Sequence, residues 1–155
     1  MKKLLFTLLL AAAVLPGWAD EYYLVGGCTV SDWSAGEYNR SAVRAYSADG
    51  TTWAWAGKLT TGEGDNGRFK IPNSANGWDG FWAPDQGTVL TSTFSPLSTS
   101  GDGDKKFCVS EEGYYLVTFT TGETKQIKAE KLTEPSKDGD YFLISNLNGY
   151  ICCSL

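Results

Sequence analysis

Apolar and polar positions alternate with period two along most of the chain after residue 20, and turn-forming residues separate the alternating runs. The predicted strands are EYYLVGG (21–27), SAVRAYS (41–47), TTWAWAGKL (51–59), GRFKIP (67–72), KKFCVS (105–110), YYLVTFT (114–120) and TKQIKAEKL (124–132). No stretch after residue 19 has a convincing helical period. Short strands between Gly- and Ser-rich turns predict an all-β fold, an antiparallel, immunoglobulin-like β-sandwich.

The alternation in run 51–59 assigns side chains to two faces of one strand. One face holds Trp53 and Trp55, and the other holds Thr52, Ala54 and Lys58. The two tryptophans are interpreted as core residues, because large rings gain most from burial. An aromatic platform for a ligand is the alternative interpretation.

Two further runs give similar predictions. In run 67–72, Phe69 and Ile71 point inward while Arg68 and Lys70 point outward. The last two predicted strands form a hairpin around residues 121–123, where a glycine lies between polar neighbours.

The first 19 residues have the pattern of a secretory signal peptide. Two lysines precede an apolar run, and the small residues Gly17 and Ala19 stand three and one positions before a predicted cut ahead of Asp20. A membrane anchor is the alternative, but it requires about 20 apolar residues, and Pro16 interrupts this run. Export predicts a location at the outer-membrane cell surface, in the periplasm or outside the cell.

The domain is predicted to span residues 20–133, and residues 134–155 are predicted to be a linker and tail. The pattern EYYLV (21–25) is echoed by DYFLI (140–144), 119 residues later. This spacing is about one domain length, so the tail is interpreted as the start of a truncated second repeat. An additional edge strand on the first domain is the alternative.

Composition excludes several classes of protein. Without Lys2 and Lys3, 11 Lys and Arg residues face 18 Asp and Glu residues, which gives the predicted mature chain a net charge of −7. The basic residues are scattered, so nucleic acid and anionic membranes are not expected as partners. The chain has no histidine, which argues against zinc sites with the usual ligands and against Ser-His-Asp or Cys-His catalysis.

All four cysteines follow the predicted signal peptide, in a compartment that permits disulfides. Cys28 and Cys108 are candidates to pair, whereas the adjacent Cys152 and Cys153 have no assigned role. The acidic clusters GEGDNG (62–67) and GDGDKK (101–106) resemble calcium loops only in part, and turn chemistry explains them. No cofactor or metal is predicted.

The stretch FKIPNSANGWDGFWAPDQG (69–87) begins as a strand and then places Trp78, Phe81 and Trp82 among residues that break strands. No regular element buries all three rings, which raises the question of what they contact. They either anchor the loop over the edge of the sandwich or form a surface for a ligand.

The order of the motifs resembles a known family. The motifs are YYLVGGCTVSDW (22–33), TTWAWAGKL (51–59), GRFKIP (67–72), GWDGFWAPDQG (77–87) and KKFCVSEEGYYLVTF (105–119). After a signal peptide, this series resembles the glycan-binding domains of SusE and SusF, outer-membrane surface proteins of starch-utilisation systems in gut bacteria. The likeness extends from about Tyr22 to Leu132. Members of that family are usually lipoproteins, whereas Ala19-Asp20 resembles an ordinary signal-peptidase site.

The resemblance implies a β-sandwich, occurring in tandem, that binds starch-like α-glucan without catalysis. In that case Trp78 and Trp82 form an aromatic platform for sugar faces, and Trp33 is a third candidate ring, with a lid on the core as its alternative role. The polar residues predicted to bind hydroxyl groups are Lys70, Asn73, Asn76, Asp79 and Asp85. Expected partners are a polysaccharide or oligosaccharide and other outer-membrane glycan-uptake proteins, and the protein is expected to be a monomer.

Two other functions compete with this prediction. A structural or adhesive sandwich would bind another protein through the same aromatic residues. A small glycoside hydrolase would use Asp79 and Asp85 as acid and base. The short domain offers little room for a deep catalytic cleft, so the prediction is that the protein is not an enzyme.

Overall fold

The computed structural model describes residues 20–33, 43–99, 104–133, 142–146 and 149–153, the last two ranges through their backbone. The strands are β1 (Tyr46–Ser47), β2 (Thr52–Leu59), β3 (Arg68–Phe69), β4 (Ile71–Pro72), β5 (Gly80–Phe81), β6 (Thr88–Val89), β7 (Ser95–Pro96), β8 (Phe107–Cys108), β9 (Gly113–Thr120), β10 (Gln126–Lys131), β11 (Phe142–Asn146) and β12 (Gly149–Cys153). A 3₁₀ turn covers Gly64–Gly67. Within the described ranges, no helix is long and apolar enough to cross a membrane. The signal-peptide prediction for residues 1–19 lies outside the described residues.

Within the described ranges the strands form four sheets, which confirms the all-β prediction. The largest has the order β1-β2-β9-β10-β7 and is antiparallel throughout. A second sheet has the order β3-β8-β6, in which β6 and β8 are parallel. Strands β4 and β5 form one antiparallel pair, and β11 and β12 form another. The predicted hairpin is the β9–β10 pair, and its turn lies between the register partners Thr120 and Gln126.

The core lies on one face of the largest sheet. Trp53 and Trp55 are 6% and 3% exposed, and their register partners in β9 are Phe119 and Val117, both fully buried. The ring of Tyr22 meets Trp53 edge-on, with 4.8 Å between centroids. These contacts confirm the interpretation of both tryptophans as core residues.

The predicted first strand, 21–27, runs between two neighbours and makes short bridges rather than a continuous strand. The amides of Tyr23 and Val25 donate to the carbonyls of Pro72 and Lys70, at 3.0 and 3.1 Å. The amide of Leu24 donates in the other direction, to the carbonyl of Val43, at 2.9 Å. Hydrogen bonds leave this segment on both sides, so it joins the segment at residues 43–45 to the segment at residues 70–72, and its residues 22–25 are buried.

Run 67–72 is divided between two sheets. Its first part, β3, pairs with β8, its last part, β4, pairs with β5, and Lys70 between them bridges to Val25. Phe69 and Ile71 are fully buried, as predicted. Lys70, predicted on the outer face, is only 9% exposed, and its ammonium lies 5.8 Å from the centroid of the Trp78 ring.

The two described cysteines are free thiols, so the disulfide that the sequence allows does not form. Cys28 donates its amide to the carbonyl of Arg68 on one side, at 3.5 Å, while Cys108 is the register partner of Arg68 on the other. Two strand spacings separate the cysteines, about 9–10 Å, which exceeds the reach of a disulfide. Burial raises the pKa of the Cys28 thiol to about 12.

The linker residues 134–141 lie outside the described residues, so the boundary at residue 133 stays a prediction. In the tail, β11 and β12 form their own antiparallel hairpin, with Phe142 opposite Cys153. Among the described strands, β11 and β12 pair with each other rather than with an edge of another sheet. The proposal that this segment starts a second repeat stays a prediction.

Candidate functional site

Trp33 is positioned by a tight turn at the end of the first segment. Gly26 and Asp32 form a β-bridge, and the carbonyl of Gly26 accepts hydrogen bonds from the amide and the hydroxyl of Thr29, both at 2.9 Å. The indole Nε1 of Trp33 donates to the carbonyl of Asp65 in the 3₁₀ turn, at 3.0 Å. A Cβ at Gly27 would stand 2.6 Å from that same carbonyl, so only glycine lets the turn approach the ring this closely.

Trp78 is positioned by the loop between β4 and β5. The amide of Asn73 donates to the carbonyl of Asp79, at 2.7 Å, which extends the pairing beyond the two strands. Gly80 has a φ of +144°, and a Cβ there would stand 2.3 Å from the carbonyl of Ile71. The strand-breaking residues of this loop therefore build a closed hairpin tip, which holds Trp78 with 40% of its surface exposed.

The two segments bring two tryptophans and two lysines together. The ring centroids of Trp33 and Trp78 are 6.3 Å apart, and the ring planes are tilted by 41°. The Nζ of Lys70 lies 5.8 Å from the centroid of Trp78, and the Nζ of Lys106 lies 5.5 Å from the centroid of Trp33. We call these four residues the tryptophan–lysine site. Each indole is held against an ammonium group, in cation–π geometry.

Lys106 is the most buried charged residue of the site, with a side chain 5% exposed. Its ammonium donates to Oδ1 and the backbone carbonyl of Asp104, at 2.9 and 3.0 Å, and lies 3.3 Å from Oδ2 of Asp65. The hydrogen bond from Lys106 lowers the pKa of Asp104, and the charges of Lys106 and Lys70 act in the same direction. A buried ammonium needs such partners to offset its desolvation. One of these ion pairs and the Trp33 hydrogen bond thus meet at Asp65, which fixes the orientation of the ring.

The structure brings together three of the predicted site residues, Trp33, Trp78 and Lys70. Asn76 and Asp79 are exposed on the same hairpin tip as Trp78. The exposed Asn73 begins that tip, through the backbone hydrogen bond described above.

The other two predicted residues are held by different contacts. The backbone of Trp82 bridges to Ser98, with reciprocal hydrogen bonds of 3.1 and 2.9 Å, and the residue is half-buried. Its indole Nε1 is buried without a hydrogen-bond partner among the described residues. The carboxylate of Asp85 lies 3.8 Å from the ammonium of Lys105 and is 90% exposed. The ring pair that the structure shows is Trp33 with Trp78, and the platform of Trp78 with Trp82 stays a prediction.

Sequence reasoning missed Lys106, Asp65 and Asp104. The available signal was the pair of acidic turn clusters, each of which supplies one carboxylate to Lys106. Residues 101–103 of the second cluster lie outside the described residues. In the parts of the chain that the structure describes, no group of three or more His, Cys, Asp or Glu residues is arranged to hold a metal.

Comparison with known proteins finds no matching family model, no similar curated protein and no similar solved structure. Function must therefore be inferred from the residues of the site. Two tilted, partly exposed indoles offer apolar faces, and the side chains of Asn76 and Asp79 offer hydrogen-bonding groups on the same hairpin tip as Trp78. This arrangement is suited to binding a ligand that combines flat apolar faces with a polar rim.

Proposed function

We propose that this protein binds polysaccharide, a starch-like α-glucan, without catalysis, through the tryptophan–lysine site. The observation that supports this most is the tilted pair formed by Trp33 and Trp78. A sugar ring has an apolar C–H face and a rim of hydroxyl groups. Packing the apolar face on an indole removes apolar surface from water, which favours binding. Two indoles tilted by 41° suit consecutive sugars of a curved chain better than those of a flat one.

The polar groups around the rings have the chemistry that hydroxyl groups require. Asn76 offers both an acceptor oxygen and an NH₂ donor, and Asp79 offers two acceptor oxygens. Both are exposed on the tip that carries Trp78. Lys70 and Lys106 are proposed to act mainly by holding the two rings in place, because both side chains are largely buried.

The sequence resemblance supports the same function. A likeness to SusE and SusF glycan-binding domains fits a sandwich of the immunoglobulin-like type, exported by a signal peptide at residues 1–19. We further propose that the protein acts outside the cytoplasm, at the cell surface, in the periplasm or in the medium, beside other glycan-uptake proteins. Residues 134–155 would then lead into a second repeat of the same type.

Isothermal titration with a maltooligosaccharide tests the proposal. Stacking and neutral hydrogen bonds at one open site predict a Kd of about 0.1 to 1 mM and little change between low and high NaCl. A cello-oligosaccharide of equal length, which is straighter, is the matched control and is expected to bind less well. Absence of maltooligosaccharide binding would refute the proposal and favour the protein-binding alternative, whereas release of new reducing ends would indicate a hydrolase.

A further inference from the structure

The face of the largest sheet that points away from the core is apolar at its centre. Ala54 and Ala56 in β2 alternate with the core tryptophans, and Ala56 is the register partner of Leu116 in β9. With Leu132, these residues form an apolar cluster separate from the main core. We call these four residues the outer alanine patch. A sheet face that meets water is normally polar, so this face is built to be covered.

Burial shows that the two alanines of the patch are covered, while Leu116 and Leu132 are partly buried. Ala54 is 3% exposed and Ala56 is 6% exposed, although alternation places both on the outer face. Sequence alternation assigned Ala54 to that face correctly but gave no indication of a cover. Alanine side chains are short, so they permit another layer to approach the sheet closely.

The β11–β12 hairpin is close enough to the largest sheet to be the cover. Cα atoms of β11 come within 8 Å of Cα atoms of β2, closer than the roughly 10 Å that separates sheets packed through larger side chains. Among the described strands, the hairpin pairs only with itself. An isolated two-stranded hairpin is marginally stable in water, so this hairpin requires a surface.

We propose that the outer alanine patch is a docking surface for the chain's own β11–β12 hairpin. The strand sequences, FLISN and GYICC, are mostly apolar, as an occupant of such a patch must be. Residues 23–25, which the first three residues of β11 echo in sequence, are buried in the first domain, so a strand of this type also needs apolar cover. This proposal does not depend on glycan binding.

Hydrogen–deuterium exchange on the full chain tests the proposal, with Ala56→Glu as the variant. A carboxylate at this position loses its hydration if the hairpin docks, so the hairpin is expected to detach. Amides of residues 142–153 should then exchange at least about tenfold faster than in the native chain, while amides of β9 and β10 keep their protection. Val89→Glu adds the same charge at an exposed site, 47% accessible, and should change neither region.

Several results would overturn the proposal. One is native exchange of residues 142–153 at unprotected rates, and another is equal protection in the native chain and in Ala56→Glu. Protection of 142–153 that rises with protein concentration would identify a second copy of the chain as the occupant. If β9 and β10 lose protection in Ala56→Glu, the variant has unfolded, and Leu116→Thr replaces it. Faster exchange of the hairpin alone in Leu116→Thr supports docking, and unchanged exchange refutes it.

Discussion

Replacing Trp78 with alanine removes the ring on which the proposed function depends most. A tryptophan side chain presents about 250 Å², so an exposure of 40% leaves about 100 Å² for a sugar to cover. At about 25 cal/mol per Å², covering half to all of that area contributes about 1.2 to 2.5 kcal/mol. We therefore expect the Kd for a maltooligosaccharide to rise about 8- to 70-fold.

The assay needs a control with a similarly exposed ring elsewhere. Phe94 is 41% exposed, and the ammonium of Lys128 lies 5.2 Å from its ring centroid, much as Lys70 lies over Trp78. Phe94→Ala should leave the Kd unchanged, and Trp78→Phe, which keeps an aromatic face, should lose less affinity than Trp78→Ala. Titration calorimetry gives the three Kd values, and thermal melts confirm that each variant is folded at the titration temperature.

Two results would refute this reasoning. If Trp78→Ala binds normally but melts several degrees lower, the ring anchors the loop and the aromatic surface belongs to a different function. If Trp78→Ala and Phe94→Ala lose affinity equally, the loss does not arise at the tryptophan–lysine site.

Three further outcomes are expected. Trp53→Ala, at a ring 6% exposed, should lower the free energy of unfolding by about 3 to 5 kcal/mol in thermal or urea melts. Hydrogen bonds from the amides of Thr52 and Thr51 hold the pKa of Asp49 well below its ordinary value. The native chain should therefore have a higher Tm than Asp49→Ala, with the full difference above about pH 4 and a smaller difference at lower pH. Iodoacetamide at pH 8, followed by peptide mapping, should label Cys28 only after denaturation, and a peptide disulfide-linked through Cys28 and Cys108 would contradict the structure.

The parts of the fold that were predictable from the sequence are the strands in which large core residues alternate with small or polar residues. Strands β2, β9 and β10 each alternate clearly, and the structure pairs them side by side. Run 21–27 does not divide into an apolar and a polar face, because side chains on both of its sides are buried. Its backbone hydrogen bonds go to two different neighbouring segments. Alternation shows that such a segment is extended, but not which neighbours it joins.

The site was predictable only as far as its aromatic residues. Trp33 and Trp78 stand out because each follows a turn rather than lying in a strand, which favours an exposed ring. Trp82 has the same local sequence signal but continues from β5 into a bridge with Ser98. Whether a ring in a loop contacts another ring depends on how segments that are distant in the sequence pack together. The spacing of residues along the chain does not predict that packing.

Lys106 illustrates why the rest of the site lies beyond sequence reasoning. An exposed lysine on an acidic protein is ordinary, and the residue next to it, Lys105, is half-buried, donates to the carbonyl of Pro84 and has only a loose ion pair with Asp85. What distinguishes Lys106 is that Asp65, Asp104 and Trp33 converge on one ammonium. A buried charged network of this kind contributes little net stability compared with apolar packing, but it permits few alternative arrangements of its members. Its expected contribution is therefore a fixed angle between the indoles, which is the property that a curved glycan would require.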